Sequence, residues 1–309
     1  MKPIQVAGPP SLIAALPYLL GFRPTDSLVC VLLTQDSITG CVRYELDQNQ
    51  AQLFELIATT LTKHEYDALV VVVISESLSY PTQELIAAFA AAEISLLDFL
   101  VTDLNSYRSA LCQDLTCCPN TGTQITQAQR DVLAAQLVVS GHMPAASREQ
   151  LVARLDSQPL PELELESNER ILTAAELIEV ISTWYRTALT GSQIVSIAAA
   201  LADPELRNEL EYELFDSLDG VLTKPDRLRT AAENIRQCAV SLPDHAAAMS
   251  YGVLAFCYWN LGDWVLAQIA ATKSLALDNS NSPARLTNRL LQQQIDPVTA
   301  RSQIFPNAA

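Results

Sequence analysis

The chain has 309 residues, of which 49% are hydrophobic and only 17% charged, and its formal net charge is −16. This composition excludes an intrinsically disordered chain, and the length suffices for about two domains. The acidic excess opposes contact with nucleic-acid phosphates and anionic membrane surfaces, so we expect neither partner. Apolar runs stay shorter than the roughly 18–20 residues that a membrane helix requires. The sequence does not specify an oligomeric state.

Cysteine usage and the first residues of the chain bear on cellular location. There are seven cysteines, an odd number that does not fit a closed disulfide framework. The apolar stretch 12–20 is short and lacks the small-residue cleavage site of a secretory signal. We therefore expect a cytoplasmic protein with free thiols. The same stretch predicts a short helix capped by Ser11 and Gly21, which Pro17 kinks or ends early.

The first half of the chain has the pattern of an α/β domain. Residues 68–74 contain four consecutive valines, which is typical of a central strand covered on both faces. Strands are predicted over 28–34, 41–46, 68–74, 94–101 and 107–111, and helices over 50–63, 82–92, 127–139 and 147–155. This order predicts a mixed sheet with helices packed on it, formed by residues 1–155.

The second half has the pattern of an all-α domain. Residues 156–167 combine two prolines with an acidic run and predict a linker. Beyond it strand patterns are absent, and Thr173 and Asp203 have the positions of helix N-caps. Helices are predicted from 173 and over 191–202, 203–218, 225–240, 246–260, 263–277 and 284–294. We therefore expect a helical domain over 168–309.

Residues 248–281 have the spacing of one tetratricopeptide repeat. A small residue at Ala267 allows two antiparallel helices to approach, while Tyr258 and Trp264 fill the space beside them. A plain helical hairpin is the alternative interpretation. A tetratricopeptide-like domain would present a groove to a partner helix or peptide. The candidate partner-binding residues are Tyr251, Tyr258 and Trp264.

A cysteine-rich loop follows the last predicted strand of the first half. Thiolates at Cys112, Cys117 and Cys118 are possible zinc ligands, with Asp114 or His142 to complete the shell. The C-x4-C-C spacing lacks a paired C-x2-C, and adjacent cysteines rarely chelate one ion, so we expect no bound metal. A reactive thiol is a second interpretation. The favoured interpretation is a structural loop whose cysteines pack as small apolar groups.

A second candidate site lies in the loop that leads into the first strand. Arg23, Asp26 and Ser27 are polar residues at the mouth of a predicted central strand, where ligand sites are common. Local hydrogen bonding to the backbone is the simpler interpretation. Arg43 lies among apolar residues of the second strand and requires a carboxylate partner, for which Asp26 and Asp47 are in reach.

Motifs that would name a reaction are absent. The three histidines, His64, His142 and His245, do not have the spacing of a metal site or a catalytic triad. The sequence contains no phosphate-binding loop, no dinucleotide-binding glycine motif and no nucleophile elbow. We expect no cofactor.

Several of these segments together resemble a known family. Residues 17–29, Val42-Arg43, the loop 112–122 and Ser147-Arg-Glu-Gln-Leu151 are similar to the domain of unknown function 4192. The resemblance extends over most of the chain and implies a cytoplasmic, actinobacterial protein with the two-part layout above. It implies no activity.

These observations leave three functional hypotheses. The leading one is a non-enzymatic interaction or adaptor module that binds a protein partner through its helical half. The alternative is an enzyme or small-ligand binder, with a site near Arg23, Asp26, Arg43 and the cysteine loop. The third is a thiol-based metal or redox sensor.

Overall fold

The computed structural model divides into two compact units after Arg148, Met1–Arg148 and Glu149–Ala309. It describes residues 8–34, 37–46, 49–61, 66–131, 143–160, 172–183, 188–215, 224–293, 295–297 and 299–300. Of the predicted linker 156–167, residues 156–160 are described and the rest lies outside these ranges. His64 and His142 also lie outside them, as does the predicted helix 127–139 beyond residue 131.

The first unit is built on a six-stranded mixed sheet, in the order β2-β1-β3-β4-β5-β6. The strands are β1 (Ser27–Thr34), β2 (Ser37–Glu45), β3 (Ala68–Ile74), β4 (Leu96–Thr102), β5 (Ser106–Ser109) and β6 (Thr123–Gln124). β3 and β4 pair in parallel, and the other described neighbours pair antiparallel. The helices are α1 (Pro9–Leu20), α2 (Gln50–Leu61) and α3 (Gln83–Ala91), and residues 127–131 are also helical.

Burial on both faces of the central strands explains their continuous apolar sequences. Leu28 and Cys30 of β1 and Val71 and Val73 of β3 belong to a core cluster that includes the buried side chains of α2 and α3. The residues between them in β1 and β3 point to the opposite face and are buried as well. Both faces of the sheet are therefore covered, as the valine run predicts.

Two details of α1 differ from the sequence-based prediction. The helix begins at Pro9, with Gly8 and not Ser11 as its N-cap residue. A proline suits the first helical position because the missing N–H has no partner there anyway. Pro17 lies inside the helix, which continues to Leu20 and ends at Gly21 in the predicted left-handed conformation, with φ of 75°.

The second unit is helical throughout its described ranges. Its helices are α4 (Arg148–Ala153), α5 (Ala174–Ser182), α6 (Gly191–Ala202), α7 (Pro204–Phe215), α8 (Pro225–Ser241), α9 (Asp244–Leu261), α10 (Trp264–Leu277) and α11 (Ser282–Gln292). Thr173 and Glu176 form the predicted capping box of α5. Asp203 accepts the N–H groups of Glu205 and Leu206 at the start of α7, as its predicted capping position requires. The α/β sheet followed by a helical region is thus confirmed.

The start of the predicted linker is hydrogen-bonded to helices of the second unit. The N–H of Gln158 donates to the carbonyl of Val240 at 2.6 Å, and the Lys273 ammonium lies 2.9 Å from the Asp156 carboxylate. The Tyr251 hydroxyl donates to the carbonyl of Leu155 at 2.7 Å. These contacts tie residues 155–158 to α8, α9 and α10.

No helix within the described ranges is both long and apolar enough to cross a bilayer.

Candidate functional site

The cysteine loop leaves the sheet at the end of β5, where one buried hydroxyl fixes its path. The Ser109 hydroxyl donates to Asp98 Oδ1 at 2.6 Å. Ser109 Oγ in turn accepts the N–H groups of Leu111 at 3.2 Å and Cys112 at 3.1 Å. Ser109 therefore anchors the first residues of the loop to β4.

A tight turn around Asp114 forms the middle of the loop. Asp114 Oδ1 accepts the N–H and the hydroxyl of Thr116, at 2.8 and 2.7 Å. Hydrogen bonds from this hydroxyl and this N–H lower the pKa of Asp114. The Asp114 carbonyl accepts the N–H groups of Cys117 at 3.1 Å and Cys118 at 2.8 Å. The turn consequently brings both of these cysteines back towards Cys112.

The loop returns to the sheet through Gly122 and β6. Gly122 has φ of +80°, and a Cβ atom there would lie 2.4 Å from Leu78 Cδ1. Its N–H donates to the Pro119 carbonyl at 2.8 Å, and the Thr123 hydroxyl donates to the Cys117 carbonyl at 3.3 Å. The positive φ favours glycine, since any other residue would be strained there, and a side chain would also have to displace the end of Leu78.

The result is a compact cluster of three thiols. The sulfur atoms of Cys112, Cys117 and Cys118 all lie within 4.8 Å of one another, and those of Cys117 and Cys118 are 3.9 Å apart. Cys117 is exposed, and the other two are half-buried. The pKa of the Cys118 thiol is raised to about 11, first by desolvation and also by the thiols of Cys112 and Cys117, against a backbone hydrogen bond from Ser109 that lowers it. The folded loop thus brings the three sulfur atoms close together even though the spacing lacks a C-x2-C pair.

The loop before β1 forms a structural network. Arg43 Nε donates to the Ser27 hydroxyl at 2.7 Å, and Arg43 Nη1 lies 3.4 Å from Glu45 Oε1. The Arg43 guanidinium also lies over the ring of Phe22, 5.5 Å from its centroid. The carboxylate beside Arg43 is therefore Glu45, and not Asp26 as the sequence predicted; Asp47 lies outside the described residues.

Arg23 and Asp26 contribute exposed side chains to this loop. Their backbone groups have structural partners: the N–H of Arg23 donates to the carbonyl of Ala145 at 2.9 Å, and the carbonyl of Asp26 accepts the N–H of Leu46 at 3.0 Å. The guanidinium of Arg43 is already engaged with Ser27 and Glu45. Of the predicted polar side chains, the structure thus brings Arg43 and Ser27 together, while those of Arg23 and Asp26 are exposed.

In the second unit, the predicted aromatic residues lie mostly inside the helical packing. Tyr251 and Tyr258 are buried, and desolvation raises the pKa of both phenols, to about 12 for Tyr251. Trp264 is half-buried at the first position of α10. Of the three, only Trp264 has substantial accessible surface in the folded unit.

An open cleft of about 440 Å³ lies elsewhere on this unit, and the sequence analysis did not identify it. One face of α6, the first turns of α9 and the connection from α10 to α11 line it. The lining residues are Val195, Ala198, Ala199, Ala202, His245, Ala246, Ala248, Met249, Leu277, Asp278 and Asn281. The spacing of the four α6 residues is that of a single helix face, which is the one signal that the sequence contained.

Asn281 shapes the floor of this cleft. Its side chain is buried, accepts the N–H of Ala284 at 3.1 Å and so caps α11. Its amide donates to the carbonyl of Ala248 at 3.3 Å. A Cβ atom on Gly252 would lie 2.1 Å from Asn281 Oδ1, so the close approach of Asn281 to α9 requires glycine.

Comparisons with known proteins identify a family but no characterised relative. No curated protein and no solved structure matches the chain. Residues 9–298 match the family described as Domain of unknown function (DUF4192), and this range includes both the cysteine loop and the cleft. The chain therefore belongs to the DUF4192 family.

Proposed function

We propose that this protein is an interaction module whose helical unit binds a segment of a partner protein in the cleft between α6, α9 and the α10–α11 connection. The observation that carries the proposal is the cleft itself, which exposes a row of small apolar side chains beside an anionic group. We also propose that the protein acts as a cytoplasmic adaptor.

The helical packing supports a tetratricopeptide-like arrangement. α9 packs against α8 and α10, its neighbours in the sequence, and also against α6 and α11. In a stack of helical hairpins, the first helix of each hairpin contacts its own second helix and the first helices of adjacent hairpins. α9 and α11 have the contacts of such first helices, which line the concave face in repeat proteins. α6 also packs against α9, and in a repeat arrangement α7 is then an insertion between α6 and α8.

The chemistry of the cleft defines the partner. Three of the four α6 residues that line it are alanines, of which Ala199 and Ala202 are exposed, and Leu277 at the end of α10 is 40% exposed. The Asp278 carboxylate has a lowered pKa, because the hydroxyl and N–H of Ser280 donate to it, and it therefore stays ionised near neutral pH. No Lys or Arg is among the described lining residues. The matching segment carries small apolar side chains and at least one Lys or Arg.

Selection of short random peptides displayed on phage against the full chain tests this proposal. We expect the selected peptides to share a basic residue next to small apolar residues. Synthetic peptides should lose about tenfold or more in affinity for the Ala199→Arg and Ala202→Arg variants, which fill the cleft with a long cationic side chain. Asp278→Asn should weaken binding and reduce its salt dependence, because it removes the anionic partner of the basic residue.

Ala175→Arg is the matched control, since Ala175 is an exposed helical alanine that does not line the cleft. Arginine is a good helix former, so none of the three substitutions should disturb its helix. Peptides that bind the Ala199→Arg and Ala202→Arg variants as tightly as the parent chain would refute the proposal.

A further inference from the structure

We propose that Cys112, Cys117 and Cys118 form a binding site for one zinc ion, with three thiolate ligands and a fourth position open to a water molecule or another small ligand. This site lies in the first unit and is independent of the proposed peptide-binding cleft.

The sulfur positions fit the geometry of a zinc–thiolate site. Zinc binds thiolate sulfur at about 2.3 Å, so two sulfur atoms in a tetrahedral site lie about 3.8 Å apart. The sulfur atoms of Cys117 and Cys118 are 3.9 Å apart. Cys112 Sγ lies within 4.8 Å of both, so closure around an ion requires this sulfur to move by about 1 Å or less.

The loop holds these positions without help from a metal. The Ser109 hydroxyl that accepts the Cys112 N–H, the Asp114 turn and the left-handed Gly122 fix the loop at three separate points. Little ordering of the chain is then required when the ion binds, which favours affinity. This organisation distinguishes the cluster from three cysteines that are merely close in sequence.

Among the described residues, the ligand set is that of an exchangeable site with an open fourth position. No His, Asp or Glu side chain of the described residues joins the three sulfurs, and the Asp114 carboxylate is engaged with Thr116. Structural zinc sites use four protein ligands, whereas sites with three keep a position for water or substrate. The exposed Cys117 provides an entry path for the ion. Binding replaces the thiol protons, which pass to the buffer as the zinc–sulfur bonds form.

Titration of the reduced full chain with Co²⁺ under anaerobic conditions tests the site. We expect one equivalent of Co²⁺ to produce sulfur-to-metal charge-transfer bands and the intense visible bands of a tetrahedral ion, and Zn²⁺ to displace it stoichiometrically. Cys112→Ser, Cys117→Ser and Cys118→Ser should each abolish uptake of the full equivalent. Cys41→Ser is the control, since Cys41 lies on β2 and should leave the spectrum unchanged.

A second measurement keeps the test decisive if a serine variant folds poorly. Mass-spectrometric mapping of the parent chain after alkylation should show Cys112, Cys117 and Cys118 modified without metal and protected with one equivalent of Zn²⁺. Absence of the tetrahedral Co²⁺ spectrum in the parent chain overturns the proposal. So does a spectrum that persists in Cys112→Ser, or alkylation of the three thiols that Zn²⁺ leaves unchanged.

Discussion

Replacement of Gly252 by alanine should destabilise the helical unit, although the same change inside a helix normally stabilises it. Alanine is favoured over glycine by about 1 kcal/mol in a helix interior. Here the added Cβ would lie 2.1 Å from Asn281 Oδ1 and 3.2 Å from Ser274 Oγ. Since both side chains hydrogen-bond to the Ala248 carbonyl, they cannot move aside without breaking those bonds.

The magnitude follows from what the displaced Asn281 loses. Overpacking costs about 1–3 kcal/mol. Loss of the α11 N-cap costs about 0.5–2 kcal/mol more. After the gain in helix propensity is subtracted, we expect Gly252→Ala to lower the free energy of unfolding by about 0.5–4 kcal/mol.

A double-mutant cycle isolates the clash. Asn281→Ala alone should be destabilising through the lost cap, but Gly252→Ala added to it should be nearly neutral or stabilising, because the obstructing side chain is gone. Urea unfolding followed by tryptophan fluorescence is the assay, since the three tryptophans, Trp184, Trp259 and Trp264, all lie in the second unit. If Gly252→Ala is as stable as the parent chain, or equally destabilising in both backgrounds, Asn281 does not hold its position against α9.

Three further outcomes are expected. Ser109→Ala removes the hydroxyl that anchors the cysteine loop but leaves all three thiols in place. In the Co²⁺ titration described above, the affinity for Co²⁺ should fall by about tenfold or more, which is the usual effect of losing a residue that supports a metal ligand. Asp103 has a lowered pKa; desolvation raises it, but hydrogen bonds from Ser106 and Asn105 outweigh that effect. Its stabilisation is therefore complete above about pH 4 and lost as the pH falls further, and Asp103→Asn should make the acid unfolding monitored by circular dichroism less steep. Cys30, Cys238 and Cys257 are buried, and burial raises the pKa of the Cys238 thiol to about 12, so mapping after alkylation of the folded chain should find all three unmodified.

The parts of the fold that the sequence predicted well are those set by local pattern. The valine run predicted β3 with its observed bounds, because a strand buried on both faces has to be apolar throughout. Capping at Thr173 and Asp203 was predictable because the donors and acceptors lie within one turn of each other. By contrast, β6 has only two residues and exists through its pairing with β5, so no periodicity could indicate it.

The sequence identified one of the two candidate sites, the cysteine loop, but neither the geometry of that loop nor the cleft. The cysteine loop was found from composition, but the convergence of Cys117 and Cys118 depends on a turn that returns both N–H groups to one carbonyl, that of Asp114. The cleft was missed because its α6 wall consists mostly of alanines, which in a helical sequence also indicate close packing between helices. Which of Ala198, Ala199 and Ala200 faces a neighbour and which faces the cleft depends on where α9 lies.

In each of the two candidate sites, one buried polar side chain joins segments that are separated in the sequence. Ser109 connects β4 to the cysteine loop, and Asn281 connects α9 to the start of α11. A buried hydroxyl or amide is costly unless it is fully hydrogen-bonded, so each is stable only when the surrounding backbone keeps its position. These residues therefore transmit the rigidity of the core to an exposed surface. We therefore expect substitution of Ser109 to change metal uptake at the loop, and substitution of Asn281 to change the geometry of the cleft.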